Sequence, residues 1–298
     1  MTGQGTDADR PHAGTGRGSR AGTDAAADAA ADAPAAGTAA GTTAPASAPV
    51  GARPRVITHN SGSVDGRIAL SPGLLLMTDE RWPVHAGSGY RNVKQRHHPQ
   101  AILEGSGSFI TDDHSPEPLP PATEPADVLR RDHLPAPALE AAATGWLVVP
   151  DSRGRVRWVH KQFPGPDWEG WHLLVLVTAA TPLPYLSFLR SEGIPYLVVA
   201  GDGTADLSEA LARLRDVLGV ETVVSTGGGR LNGALLRAGV VDEIEVEVVP
   251  IAVGGTTTPA LFTAPDLAAD AEATPLRLLA VEQRPRDRVL LRYEVVHP

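Results

Sequence analysis

Two glycine-rich stretches hold the densest chemistry-bearing pattern in this 298-residue chain. In Leu103-Glu104-Gly105-Ser106-Gly107-Ser108, Gly105 and Gly107 follow an apolar run and let a ligand approach the backbone. Consecutive N–H groups there, with the Ser108 hydroxyl, are able to bind phosphate oxygens. A six-residue dinucleotide fingerprint would put its third glycine at 110, where Ile110 stands, so this stretch by itself is equally a plain turn. The second stretch, Gly227-Gly228-Gly229, lies between a strand-like run (Thr222–Ser225) and a helix-like one (Leu231–Ala238) closed by Gly239. Three glycines exceed what a turn needs and leave a bare helix N-terminus, where an anion gains about 0.3–1 kcal/mol per charge. Arg230 and Leu231 open that helix, and Asn232 is close enough to cap it or to bind. Tight helix–strand packing is the competing explanation for these glycines.

A third candidate is Val149-Pro150-Asp151-Ser152-Arg153-Gly154. A hydroxyl and a guanidinium just past a strand end sit where open α/β sheets collect ligands, and Arg153 suits two-pronged recognition of phosphate. Asp, Ser and Gly also favour an ordinary surface turn. Asp65 is the nearest side chain to name as a proton donor, although Asp65-Gly66 is equally a turn signal. No metal site is expected. His97 and His98 are adjacent and cannot share a helix face, and Asp112-Asp113-His114 lacks ligand spacing.

Alternating strands and helices must position these loops. Strand-like runs are Arg55–Asn60, Ala101–Leu103, Trp146–Val149, Leu173–Thr178, Ile194–Ala200 and Thr222–Ser225. Helix-like runs are Leu183–Glu192, Leu207–Leu218 and Leu231–Ala238; in the second, apolar residues at 207, 210, 211, 214, 217 and 218 follow one helical face. The alternation predicts an α/β fold with a largely parallel sheet and helices on both faces. Glu243–Pro250 alternates Glu with Ile or Val and predicts a strand with one wet face. Leu276–Glu282 and Arg288–Val295, joined by the turn Arg284–Asp287, predict an appended antiparallel hairpin.

Residues 1–52 are expected to form a disordered tail preceding a single domain over 53–298. The first fifty hold 17 Ala and 8 Gly with no aromatic residue, Leu or Ile, too little apolar surface to offset chain entropy. A Pro-rich segment, His114–Gly145, reads as an insertion, since structureless loops of that length are unusual inside a domain. The net charge of -9 argues against a nucleic-acid partner but leaves room for a phosphorylated small molecule held by backbone amides. With no cysteine, thiol chemistry and disulfides are excluded. No apolar run is long enough to span a bilayer and no secretory leader is evident, so a cytoplasmic location is expected.

The order of motifs resembles the reductase family of riboflavin biosynthesis, the C-terminal domain of the bifunctional deaminase-reductase. The resembling residues are Ser63-Val64-Asp65-Gly66-Arg67, Ala101 to Ser108 running into Asp112-Asp113, and Asp151-Ser152-Arg153-Gly154-Arg155. Gly227 to Leu236, Val241-Asp242-Glu243 and Gly254-Gly255 follow. The resemblance implies a dihydrofolate-reductase-like fold and NADPH as hydride donor to C1′ of a ribosylamino-pyrimidine phosphate. It implies cofactor contacts at Ser61, Ser108 and Asp112, a site for the 2′-phosphate at Ser152 and Arg153, and a pyrophosphate loop at Gly228–Ala234. Arg96 falls at a substrate-binding position, and a homodimer through the sheet edge is implied. Three positions depart from the pattern. Thr226 stands where the family carries a Glu that touches substrate, an Arg beyond the paired acids has no counterpart, and His59 replaces a Lys or Asn. A non-catalytic nucleotide-binding protein of the same fold is therefore the alternative. A Rossmann dehydrogenase is disfavoured by Ile110.

Overall fold

The apolar runs pair side by side because each is too hydrophobic to leave a face in water. The computed structural model describes residues 52–79, 81, 89–110 and 118–297. Residues 1–51 of the expected tail, Asp112 and the start of the Pro-rich segment lie outside the described residues. In chain order the strands are β1 (Arg55–Ser63), β2 (Ala69–Ser71), β3 (Leu74–Leu75), β4 (Ala101–Leu103), β5 (Gly145–Pro150), β6 (Trp171–Thr178), β7 (Tyr196–Val199), β8 (Thr222–Ser225), β9 (Glu243–Val249), β10 (Leu276–Arg284) and β11 (Arg288–Val295). The helices are α1 (Gly89–His97), α2 (Ala126–Leu129), α3 (Ala136–Ala141), α4 (Leu183–Ser191), α5 (Leu207–Leu218) and α6 (Gly229–Arg237).

Nine strands form one sheet in the order β10-β11-β9-β1-β8-β4-β5-β6-β7. From β9 to β7 every pairing is parallel, and β11 and β10 add an antiparallel edge. This is the mostly parallel sheet with a C-terminal hairpin that the alternation predicts. Every residue of β6 is buried, as a central parallel strand requires. Side-chain alternation divides the core in two. Val56, Leu103, Val148, Leu174, Leu197 and Val223 pack on α5 and α6, while Ile102, Leu147, Val149, Leu173 and Val175 pack on α4. Helix α5 starts where the Asp206 carboxylate accepts N–H bonds from Ser208 (2.8 Å) and Glu209 (3.1 Å) and stops at left-handed Gly219.

Two expectations need correction. The acidic side of β9 is not a wet face, because Glu245 is 1% exposed. The last turn of helix α1 brings His97 to 3.0 Å; His59 (3.0 Å), Arg292 (2.7 Å) and Arg96 (3.9 Å) complete an ion-pair cluster around it. The described part of the Pro-rich segment is also more than a loop. It contains α2 and α3, buries Leu129 completely, and pairs His133 with Tyr196 in both directions (3.0 and 2.9 Å). That pairing covers the outer edge of β7, which would otherwise be a template for another chain. Among the described residues, no helix is long and apolar enough to cross a membrane.

Candidate functional site at the carboxyl edge of the sheet

Parallel strands β4, β5 and β8 end side by side, so the three loops singled out in the sequence converge on one edge. The amide of Thr226 donates to Leu103 O (3.1 Å), and that of Glu104 donates to Val148 O (3.0 Å). These bonds carry the sheet ladder to the last residue before each turn. A side chain at Gly227 would strike Leu231 and come within 3.4 Å of the Gly105 nitrogen, so the two glycine turns are in contact.

The glycines divide by what surrounds them. Among the described residues, a Cβ built on Gly105 or Gly107 meets no atom within 4 Å, and one on Gly228, the N-cap of α6, meets only Ile68 at 3.9 Å. These three face open space. A Cβ on Gly229 would lie 2.0 Å from Ala260 O, and one on Gly233 2.2 Å from Thr263 O. Those two admit the 260–263 segment against α6. Tight packing thus accounts for Gly229 and Gly233 and not for Gly105, Gly107 or Gly228.

A buried amide network fixes the turn. Asn232 is fully buried; its Nδ2 donates to Asn60 Oδ1 (2.6 Å) and Gly227 O (3.2 Å), and its Oδ1 accepts from Ser225 Oγ (2.8 Å). Asn60 Nδ2 donates to the same Gly227 carbonyl (2.9 Å). Asn232 thus braces the loop from behind instead of reaching a ligand. Among the described residues no side chain caps α6 and the amides of its first turn have no partner, and Arg230 beside them is exposed.

Beyond β5, the Asp151 carboxylate accepts N–H bonds from Arg155 (3.2 Å) and Val156 (2.9 Å) and folds residues 151–156 into a turn. Gly154 has φ +65°, and any side chain there would strike Tyr185 at 2.7 Å. Ser152 is half-buried, and Arg153 is exposed beside it. Arg155, which sequence reasoning left without a role, reaches Ser106 Oγ at 3.4 Å and ties this turn to the Gly105 turn.

Three expected site residues have side chains engaged with protein partners. Arg96 is on the last turn of α1, with its guanidinium on Glu282 (2.9 Å) and the Glu245 cluster. The Ser61 hydroxyl is directed to Glu247 at 3.4 Å, on the side of β1 opposite to Asn60. Asp65 accepts from Ser63 Oγ (2.6 Å) and from the amides of Val253 (2.9 Å) and Gly254 (2.7 Å). The Ser63 hydroxyl first, then those two amides, hold its carboxyl far below the usual carboxylate range. An acid so committed to its ionised form is a poor proton donor at neutral pH, and Asp65 reads as a clamp between two loops. Ser108 remains exposed on the Gly105 turn.

Sequence reasoning assigned nothing to Glu104, although a charged residue closing an apolar run was the available signal. It is 6% exposed; its Oε1 accepts from Tyr90 Oη (2.7 Å), on the first turn of α1, and from the hydroxyl of Thr226. Burial pushes its carboxyl above the ordinary value. Among the described residues, no set of His, Cys, Asp or Glu is arranged to hold a metal ion.

A mostly parallel sheet extended by an antiparallel hairpin, with abutting glycine turns on its carboxyl edge, defines an α/β protein of dihydrofolate-reductase-like fold. The chain belongs to the RibD C-terminal domain family, whose model matches residues 54–290. The 2,5-diamino-6-ribosylamino-4(3H)-pyrimidinone 5′-phosphate reductase of Methanothermobacter thermautotrophicus is 29% identical over 208 residues, 68% of this chain and 81% of that protein. The riboflavin biosynthesis protein RibD of Actinobacillus pleuropneumoniae is 23% identical over 83% of this chain, which spans only 58% of that protein's length. Among solved structures, Acinetobacter baumannii RibD superposes with a TM-score of 0.56 at 22% identity, over 82% of this chain and 58% of that one. A pyrimidine reductase-like protein from Corynebacterium diphtheriae also gives 0.56, at 18% identity, over 82% and 93%.

Proposed function

We propose that this chain is an NADPH-dependent reductase acting on a ribosylamino-pyrimidine phosphate. The observation that carries the reading is the contact between the two glycine turns, with Gly105, Gly107 and Gly228 facing open space beside the uncapped N-terminus of α6. Bare amides and closely approachable backbone fit a pyrophosphate. Gly228 and Gly229, with Arg230 and Leu231 in the first turn of α6, would hold that group, and Asn232 with Asn60 would keep the amides aimed at it. The residues of the β5 turn fit a second phosphate: Ser152 and exposed Arg153, with Arg155 holding the turn against Ser106. When bound, NADPH supplies the hydride that reduces C1′. The protein's own part is to position the sugar carbon, exclude water and supply a proton. Names borne by relatives support the ribosylamino-pyrimidine class, and Thr226, where the resemblance expects Glu, marks the substrate side as this chain's own.

If Arg153 reads the 2′-phosphate, Arg153→Ala should weaken NADPH binding by about 10–100-fold, the value of one or two charge-assisted hydrogen bonds. NADH binding should change less than about twofold, on the same reasoning that NADH lacks that phosphate. Calorimetric titration with both coenzymes checks this; equal losses would remove Arg153 from the site.

The two ends of the sheet support a homodimer. The β7 edge is covered by His133, whereas the free edge of β10 carries Leu276, Leu278, Leu279 and Val281, 43–60% exposed. Pairing two copies there would bury this strand. Light scattering should give twice the chain mass, and a monomer across micromolar concentrations would contradict the assembly. A cytoplasmic location and a small-molecule partner, with neither nucleic acid nor membrane, complete the reading.

A further inference from the structure

Glu104 is a carboxyl group buried at the seam of the two glycine turns, and neither the fold nor the resemblance gives it a role. Strand β4 needs an apolar residue at its buried end, and Ala101, Ile102 and Leu103 supply three. The next residue is an acid with 6% of its surface exposed and, among the described residues, no basic side chain in a salt bridge with it. Burying an unpaired carboxylate is costly, and such a group commonly holds its proton instead. Both lone pairs of Oε1 are occupied, by the Tyr90 and Thr226 hydroxyls, and the Gly105 amide also donates to this carboxyl, although burial outweighs all three. A proton carried by the neutral acid therefore belongs on Oε2.

We propose that Glu104 is the proton donor of the reduction, held in place by Tyr90 and Thr226. This rests on the reductase reading above. As C1′ takes up hydride, it releases an electron pair to its heteroatom, either the ring oxygen of the closed sugar or the nitrogen of the open imine. That heteroatom takes the proton from Glu104, leaving a carboxylate, and water restores the acid. Atoms and charge balance with one hydride and one proton added.

The surroundings agree with this role. Tyr90 is the titratable group in contact with Glu104; burial, and then Glu104 itself, push its phenol well above the ordinary value, so it remains the donor in their bond. Lys94, one helical turn on, is turned away over the rings of Trp168 and Trp171 (4.1 Å each). Arg155 reaches Ser106, two residues along the turn. The neutral acid is thus not forced to ionise by a neighbouring cation.

Glu104→Gln preserves shape and removes the exchangeable proton. Single-turnover hydride transfer should fall by about 10²–10⁴-fold, the usual contribution of a general acid, with NADPH affinity by calorimetry unchanged. The wild-type rate should fall with rising pH as one group deprotonates, and Tyr90→Phe, which removes a donor to the carboxylate, should move that limb upward. A merely structural Glu104 would leave the pH profile unmoved. The second measurement needs no substrate. Infrared difference spectra of wild type against Glu104→Gln at neutral pH should contain a protonated-carboxyl C=O band. Absence of that band, or an unchanged rate and pH profile in Glu104→Gln while wild type turns over, overturns the assignment. If the band is present but wild type oxidises no NADPH with any ribosylamino-pyrimidine, the reductase reading fails and the donor role falls with it, leaving only a protonated buried acid.

Discussion

Glu245→Gln should destabilise the folded protein by about 3–5 kcal/mol, as removal of one partner from a buried ion pair generally does. Glu245 lies 3.0 Å from both His59 and His97, and it also faces Arg292 at 2.7 Å and Arg96 at 3.9 Å. Without it, among the described residues, the partly buried guanidiniums of Arg96 and Arg292 keep the flanking carboxylates of Glu282 and Glu243 as ion-pair partners. In a domain of this size each kcal/mol moves Tm by about 2–4 °C, so a drop of roughly 6–20 °C is expected. The effect depends on pH. Burial alone would push the Glu245 carboxyl up, but hydrogen bonds and charge from His59 and His97 more than offset that and hold it well below the usual range. A depressed carboxylate contributes stability that is present above its unfolded pKa of 4.5 and lost as pH falls toward its folded value. The gap between wild type and variant should therefore be full at pH 7 and shrink below pH 4.5. Thermal melts at both ends of that range decide it; a Tm change under 2 °C at neutral pH would show that the cluster contributes no net stability.

Gly229→Ala and Gly233→Ala carry the next largest expected cost. Each new methyl would meet a carbonyl oxygen of the 260–263 segment at 2.0 or 2.2 Å, and backbone cannot swing aside as a side chain tip can. That segment is also tied to the β1–β2 connection, through Ile68 N to Pro259 O (3.0 Å) and Leu261 N to Gly66 O (2.9 Å), so displacement would spread. A loss near the upper end of the usual overpacking range, about 3 kcal/mol, is expected. Gly105→Ala should behave in the opposite way. Its backbone has φ -80° and ψ 142°, open to alanine, and among the described residues no atom lies within 4 Å of the added carbon. Stability should stay within about 0.5 kcal/mol of wild type, while NADPH binding weakens by about tenfold, or roughly 1.4 kcal/mol. Denaturant melts paired with coenzyme titration separate the two kinds of glycine. Equal stability losses in all three variants would contradict the division.

That division also shows where the sequence was readable. Runs such as Leu173–Thr178 and the spacing in Leu207–Leu218 announce strand and helix because burial imposes a period on them. The three carboxyl-edge loops were legible for the same reason, since each follows such a run. Helix α1 was not. Its sequence, GYRNVKQRH, buries only Val93 and offers no apolar stripe, because it packs largely through ion pairs and aromatic contacts. Missing α1 hid two things at once: the cover that turns the acidic side of β9 into a buried cluster, and the position of Tyr90 over Glu104. The short helices of the Pro-rich segment were unreadable because anchors such as Leu129 and Ala138 are too sparse to form a pattern. Glycines raise a different problem. Gly105 and Gly229 look alike in sequence, and only the atoms opposite them distinguish access for a ligand from access for the chain itself.

The reductase reading is tested most directly by following a labelled hydride. The full chain is incubated with NADPH deuterated at C4 of the nicotinamide and a ribosylamino-pyrimidine 5′-phosphate, and the product is examined by mass spectrometry and NMR. One deuterium at C1′ of a ribityl chain, appearing in step with coenzyme oxidation, is the expected result. Well-folded protein that neither binds NADPH nor transfers the label to C1′ would contradict it.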